Sequence, residues 1–210
     1  MSPAHVSDLE AVLAAVGPAD RAAAGRLHDR LVAAAHRQDL LDVSYRTLDS
    51  PLGPLLLAAT PVGLVRIAFS GQDHERVLDD LAERVGPRIL ADPRPLEAVA
   101  RELDEYFAGR RRAFDLPLDH RLTTGFRADV LAQLPRIGYG TTASYAQVAP
   151  AAGHPRAVRA VGSACGANPL PIVVPCHRVV RSDGTPGGYA GGPEAKRRLL
   201  TLEAGTGRSG

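Results

Sequence analysis

Residues 171–184 read PIVVPCHRVVRSDG. An apolar run enters Pro175, Cys176 and His177 stand side by side, and Arg178 leads into two more valines. A β-branched run of this kind reads as buried sheet or core, where a lone cysteine is ordinarily an inert small hydrophobe. Here its neighbour is the side chain whose ordinary pKa suits it to take a thiol proton near neutral pH. Successive residues on a strand point to opposite faces, so a direct Cys176–His177 contact needs a turn or a bridging water. Pro175 favours such a break. A cysteine-protease reading fails, because that nucleophile opens a helix and its histidine lies far away in sequence. A zinc reading fails for want of further ligands at useful spacing.

The rest of the chain sets the context. Its 210 residues suffice for one large domain or two small ones. No apolar run is long enough to span a bilayer, and the opening MSPAHVSDLEAVLAAVG lacks the basic stretch of a signal peptide. A cytoplasmic address is the expectation. Cys165 and Cys176 are the only cysteines, too few for a disulfide framework. The net charge of +2 hides an asymmetry: residues 121–210 carry eleven Lys and Arg against four Asp and Glu, whereas residues 1–120 carry a net −5. A basic C-terminal part points to a polyanionic partner.

Periodicity divides the chain in three. In residues 1–42, Ser7 and Glu10 have capping-box spacing, Leu9, Val12, Leu13 and Val16 share a helical face, and a second Ala-rich helix is expected from Ala19 to His36. Over residues 43–70, VSYRTLDS, PLLLAAT and GLVRIAFS are short apolar runs split by Pro and Gly turns, an antiparallel meander. Helices are expected over 73–86 and 95–109, and an extended segment over 113–119. Beyond Thr123 come three more helices: one capped by Thr124 and ended by Pro135, one starting near Ser144, and one from about Pro155 to Gly166. The last two, joined through Gly153, fit a helix-turn-helix. The last would present Arg156 and Arg159 among the small residues Ala157, Ala160, Gly162 and Ser163, a surface able to press into a groove.

IVVPCHRVV followed by GGYAGGPEAKRRLLTLE strongly resembles the O6-alkylguanine-DNA alkyltransferases, the methylated-DNA–protein-cysteine methyltransferases. The similarity extends back through RAVRAVGSACGANPLP, ASYAQVA and TTGFRADVLAQLPRIGYG, and upstream to SPLGPLLLAATPVGLVRIAF and ELDEYFAGRRRAFDLPLD. It covers about residues 43–205. It implies an α+β protein: a ribonuclease-H-like α/β domain with an antiparallel sheet over 43–120, and a winged helix-turn-helix-like alkyltransferase domain over 121–210. Residues 1–42 are a helical extension outside the resemblance.

The implied activity is single-turnover DNA repair, in which Cys176 takes the alkyl group from guanine O6 of a flipped nucleotide. Residue by residue, the resemblance gives His177 and Glu203 a Cys-water-His-Glu relay, and Asn168 the place of a hinge asparagine. Tyr145 takes the place of the tyrosine that supports the leaving guanine. Arg159 matches an arginine finger, with Arg156 a phosphate contact. Val179, Tyr189, Ala190 and Gly191 would line the base pocket. The implied partner is duplex DNA carrying O6-alkylguanine, bound through its minor groove by a monomer, with no membrane, cofactor or metal. Gly138-Tyr139-Gly140 and Leu131 depart from the family's frequent Pro-Tyr-Gly and Trp, which are packing positions. The alternative is an alkylation-sensing DNA-binding regulator without turnover.

Overall fold

The computed structural model describes residues 18–206. The helix expected over residues 9–16 lies outside them. The chain divides into two compact units, residues 1–41 and 42–210. In the first, α1 spans Pro18–Arg37, as the Ala-rich sequence predicts. It opens on a proline, whose missing N–H is harmless there, with Asp20 in the first turn and His36 and Arg37 in the last, each charge favourable to the helix dipole.

The second unit begins with a sheet. Strands β1 (Val43–Leu48), β2 (Leu55–Ala59) and β3 (Leu64–Phe69) form the expected antiparallel meander. A fourth strand, β4 (Ile89–Ala91), pairs parallel to β1 and gives the order β3-β2-β1-β4. The sequence reading did not anticipate it, since three residues carry too little periodicity. β2 is buried along its whole length, which explains its unbroken apolar run: central strands covered on both faces need no alternation.

Helix α2 (His74–Arg84) covers one face, placing Val77 and Leu81 against Val43, Leu56, Ala58 and Val65. Helix α3 (Glu97–Phe107) belongs to the core on the other, burying Val99, Leu103 and Tyr106 along one stripe. Segment 113–119 forms no strand. Its backbone meets β3 where the Leu64 N–H donates to Pro117 O and the Asp119 N–H to Leu64 O, at 2.9 Å each, and Phe114, Leu116 and Leu118 pack on the core. Pro117 has no N–H with which to extend a ladder.

The remaining elements are α4 (Gly125–Gln133), β5 (Ala143–Ser144), α5 (Tyr145–Ala151), α6 (Val158–Gly166), β6 (Val179–Val180) and α7 (Gly192–Thr206). Thr124 is the N-cap of α4, but its side chain makes no capping bond. Ser144 caps α5 through a reciprocal capping box with Gln147. Gly153, with φ of +81°, turns the chain toward α6. α6 starts three residues later than expected. Pro155 lies in the turn that the Ala157 N–H closes onto His154 O at 2.9 Å. One apolar core unites Leu57, Ile67 and Tyr106 from the first half with Leu134, Val161, Ile172 and Leu199 from the second. Residues 43–120 and 121–206 are therefore packed on common side chains.

Candidate active site

The segment that opened the sequence reading is not a continuous strand. Cys176–Arg178 form a 3-10 turn behind Pro175, and the chain becomes extended only at β6, which pairs parallel to β5. Ile172, four residues earlier, is fully buried with φ of +74°. A β-branched residue in that region is strained, and such strain gathers at functional sites. The turn buries Cys176, His177 and Arg178 together.

Asn168 follows the end of α6 and holds the turn from below. Its Nδ2 donates to Val174 O at 2.8 Å and to Cys176 Sγ at 3.1 Å, and its Oδ1 accepts the Leu170 N–H at 3.0 Å. Burial pushes the Cys176 thiol up to about 11, while the Asn168 hydrogen bond and the charge of Lys196 pull the other way. At neutral pH the resting thiol is therefore protonated. Lys196 was not singled out by sequence. It is fully buried, donates to Val179 O at 2.6 Å and lies 5.9 Å from the Tyr145 ring centre.

His177 is completely buried, and burial lowers its pKa, so the imidazole is neutral. Its Nε2 lies 2.9 Å from Glu203 Oε1, while Nδ1 is buried with no hydrogen-bond partner among the described residues. Glu203 also receives Arg178, whose Nε donates to Oε2 at 2.9 Å and Nη2 to Oε1 at 2.9 Å. Arg178 Nη1 donates to Ile137 O at 2.7 Å. Gly140 N–H donates to Oε2 at 3.1 Å, and Tyr106 Oη to Oε1 at 2.7 Å. Burial alone would raise the Glu203 carboxyl, but the hydrogen bonds of His177, Arg178 and Tyr106 hold it near about 2. It is an ionised carboxylate at every ordinary pH, and its Coulomb partner Arg178 makes the buried group electrically tolerable.

The structure thus brings Cys176, His177, Asn168 and Glu203 into one buried group. Tyr145 begins α5 half-buried, and its hydroxyl lies so close to Gly187 that any Cβ there would collide with it. Tyr189 meets His177 edge-on at 6.3 Å and Phe69 at 5.5 Å. A Cβ on Gly191 would lie 2.8 Å from the Phe69 ring. Val179 is buried and Ala190 half-buried. Arg156, Arg159, Ala160 and Ser163 are exposed, with Ala157 and Gly162 half-covered. Arg159, Ala160, Gly162 and Ser163 lie on α6, whose inward face buries Val161, Ala164 and Cys165, whereas Arg156, expected on this helix, falls in the turn before it and Ala157 is the N-cap, because the helix starts late. Among the described residues no group of three or more His, Cys, Asp and Glu side chains is placed to hold a metal ion. No described helix is long and apolar enough to cross a membrane.

Tyr106, Arg178 and Gly140 escaped the sequence reading as site residues. One signal was available for Tyr106: it extends the buried stripe of α3 but carries a hydroxyl, which needs a partner when buried.

Comparison with known proteins agrees along most of the chain. Residues 43–120 match the model of the 6-O-methylguanine DNA methyltransferase ribonuclease-like domain, and residues 125–205 that of the same family's DNA binding domain. A methylated-DNA–protein-cysteine methyltransferase of Mycobacterium tuberculosis H37Rv is 42% identical over 161 residues, covering 77% of this chain and 92% of its own. The constitutive methylated-DNA–protein-cysteine methyltransferase of Bacillus subtilis is 41% identical over 160 residues, 76% of this chain and 94% of its own. The crystal structure of Mycobacterium tuberculosis OGT in complex with DNA matches with a TM-score of 0.69 at 40% identity, over 78% of this chain and 94% of that one. With a buried cysteine, histidine and glutamate assembled behind a helix-turn-helix, and both domains matched in order, this chain belongs to the 6-O-methylguanine DNA methyltransferase family, the methylated-DNA–protein-cysteine methyltransferases.

Proposed function

We propose that this protein repairs DNA by moving the alkyl group of O6-alkylguanine onto Cys176. The observation that carries this reading is the buried junction of Cys176 with Asn168 and of His177 with Glu203. Sγ attacks the alkyl carbon in line with the C–O6 bond. The C–S bond forms, the C–O bond breaks, and its electron pair returns to the purine, which regains its 6-oxo form.

The proton balance uses the same residues. The resting thiol is protonated, so it must lose its proton as it attacks. Glu203 accepts from Nε2–H of neutral His177, which leaves Nδ1 as the basic atom. A water between Sγ and Nδ1 relays the thiol proton, and ionised Glu203 stabilises the imidazolium that forms. The departing purine acquires a proton in turn, with the Tyr145 hydroxyl donating toward N3 as charge develops. The product is a thioether, which has no leaving group of its own, so each molecule acts once.

An alkyl carbon stacked inside a duplex is beyond the reach of a buried sulfur. The nucleotide must leave the stack, at a cost of a few kcal/mol. The outward face of α6 is suited to offset this. The small residues Ala160, Gly162 and Ser163, with Ala157 at the N-cap, permit close approach to the minor groove, Arg159 fills the gap left by the nucleotide, and Arg156 in the preceding turn meets a phosphate. Val179, Tyr189, Ala190 and Gly191 receive the base. The protein acts as a monomer in the cytoplasm, where thiols stay reduced. Residues 43–120 and 121–210 act as its two domains, with 1–42 an extension.

Incubation with an O6-methylguanine duplex, followed by peptide mass spectrometry, tests the reading. The expected result is a gain of one CH2 on the peptide bearing Cys176, lost in Cys176→Ala while duplex binding persists. Tight binding with unmodified Cys176 would instead mark a damage-sensing regulator.

A further inference from the structure

We propose that Tyr106 is a positioning residue for the relay, contributed by the first half of the chain to chemistry performed in the second. Tyr106 sits on α3, fully buried, 97 residues from Glu203 in sequence. Its hydroxyl donates to Glu203 Oε1 at 2.7 Å and lies 3.4 Å from His177 Nε2. The phenol has one proton, and burial beside Glu203 keeps it from ionising. With that proton committed to the carboxylate, the phenol oxygen can only accept from the histidine side. Both oxygens near Nε2, those of Glu203 and Tyr106, are then acceptors. Nε2 must carry the hydrogen, and Nδ1 must be the basic atom. Glu203, an acceptor only, sets this tautomer, and Tyr106 holds the carboxylate oxygen that does so while presenting Nε2 with no competing donor.

The same bond tunes the base. Glu203 Oε1 is shared among Tyr106, His177 and Arg178, so each donor reduces the negative charge felt by the imidazole. The groups acting on His177 are Glu203 from α7, Arg178 from its own turn, Lys196 from α7, and the rings of Tyr106 and Tyr189. Of these, Tyr106 alone is carried by the half of the chain that precedes residue 121. Its ring is fixed by Phe114 at 5.3 Å, Phe107 at 5.6 Å and Tyr139 at 6.1 Å, so the hydroxyl has little freedom to turn elsewhere.

The test is Tyr106→Phe in the full chain, which keeps the ring packing. The proposal rests on the reaction above for its kinetic arm. The rate of alkyl transfer from free O6-benzylguanine to Cys176 is expected to fall about tenfold or more, as for a lost hydrogen bond to a charged group. The acid limb of its pH profile is expected to move to higher pH, because a less neutralised Glu203 makes His177 more basic. A second arm needs no substrate: nitrogen-15 chemical shifts of the His177 ring followed across pH are expected to show Nε2–H on a neutral ring in the parent chain, and protonation of the ring at higher pH in Tyr106→Phe. An unchanged rate, acid limb and His177 titration in a folded variant would overturn the proposal, as would a lowered melting temperature with all three unchanged. A parent chain that shows the fixed tautomer yet takes no alkyl group would overturn the proposed reaction and leave the positioning role standing.

Discussion

The Asn168 side-chain amide divides its two hydrogens between Val174 O, at 2.8 Å, and the sulfur of Cys176, at 3.1 Å. One residue thus ties the end of the proposed recognition helix to both the backbone and the nucleophile of the reactive turn. Replacing it by Ala leaves the buried Leu170 N–H and the thiol without this partner, while Val174 O keeps the Cys176 N–H. The expected loss is about 1–3 kcal/mol of stability per unsatisfied group at most, with the thiol pushed further above about 11. Chemical denaturation and the rate of transfer from free O6-benzylguanine both check this. A variant reacting at the parent rate contradicts the role of Asn168 at the sulfur.

Arg159 is exposed on α6 and makes no hydrogen bond or ion pair among the described residues. Its replacement by Ala is expected to leave stability within about 0.5 kcal/mol of the parent. Repair of an O6-methylguanine duplex should slow by at least tenfold, whereas reaction with the free base should change little, because only the duplex demands nucleotide flipping. Equal losses on the two substrates would remove Arg159 from that role.

Stability should depend on pH at both ends of the scale. Glu203 lies near about 2 in the fold against an ordinary 4.5, so the unfolded chain binds its proton more readily. The stabilisation it provides is complete above about pH 4.5 and drains away as pH falls toward 2. Cys176 behaves in the opposite sense, with a folded value of about 11 against 9. Its share is present below pH 9 and is lost as pH rises from 9 to 11. Urea midpoints measured across pH should fall in both windows. Glu203→Gln should flatten the acid one and Cys176→Ala part of the alkaline one.

Gly140 has φ of +71° and donates its N–H to Glu203 Oε2, and a Cβ there would lie 3.1 Å from Glu203 O. Gly140→Ala should therefore cost about 1–2 kcal/mol from backbone strain alone. Because the crowded atom belongs to the residue that orients His177, transfer should slow as well. Thermal unfolding and single-turnover kinetics read the two effects separately.

The sequence alone determined the elements and the reactive segment. Short apolar runs split by Pro and Gly over 43–70, helical stripes over 73–86 and 95–109, and turn residues at Gly153 and Pro175 encode local structure through apolar patterning and backbone preference, which need no knowledge of the partner. The residues themselves singled out Cys176 and His177, and the resemblance to a known family added Asn168 and Glu203. Tertiary structure decided what those groups are chemically. Whether the thiol rests protonated, whether His177 is neutral, and whether Glu203 stays charged all depend on desolvation and on donors arriving from elsewhere: Arg178 from 25 residues away, Gly140 from 63 and Tyr106 from 97. A pKa is set by distances through space, and no local pattern along the chain records them. The same holds for β4 and segment 113–119, whose pairing or lack of it follows from the sheet they meet rather than from their own residues.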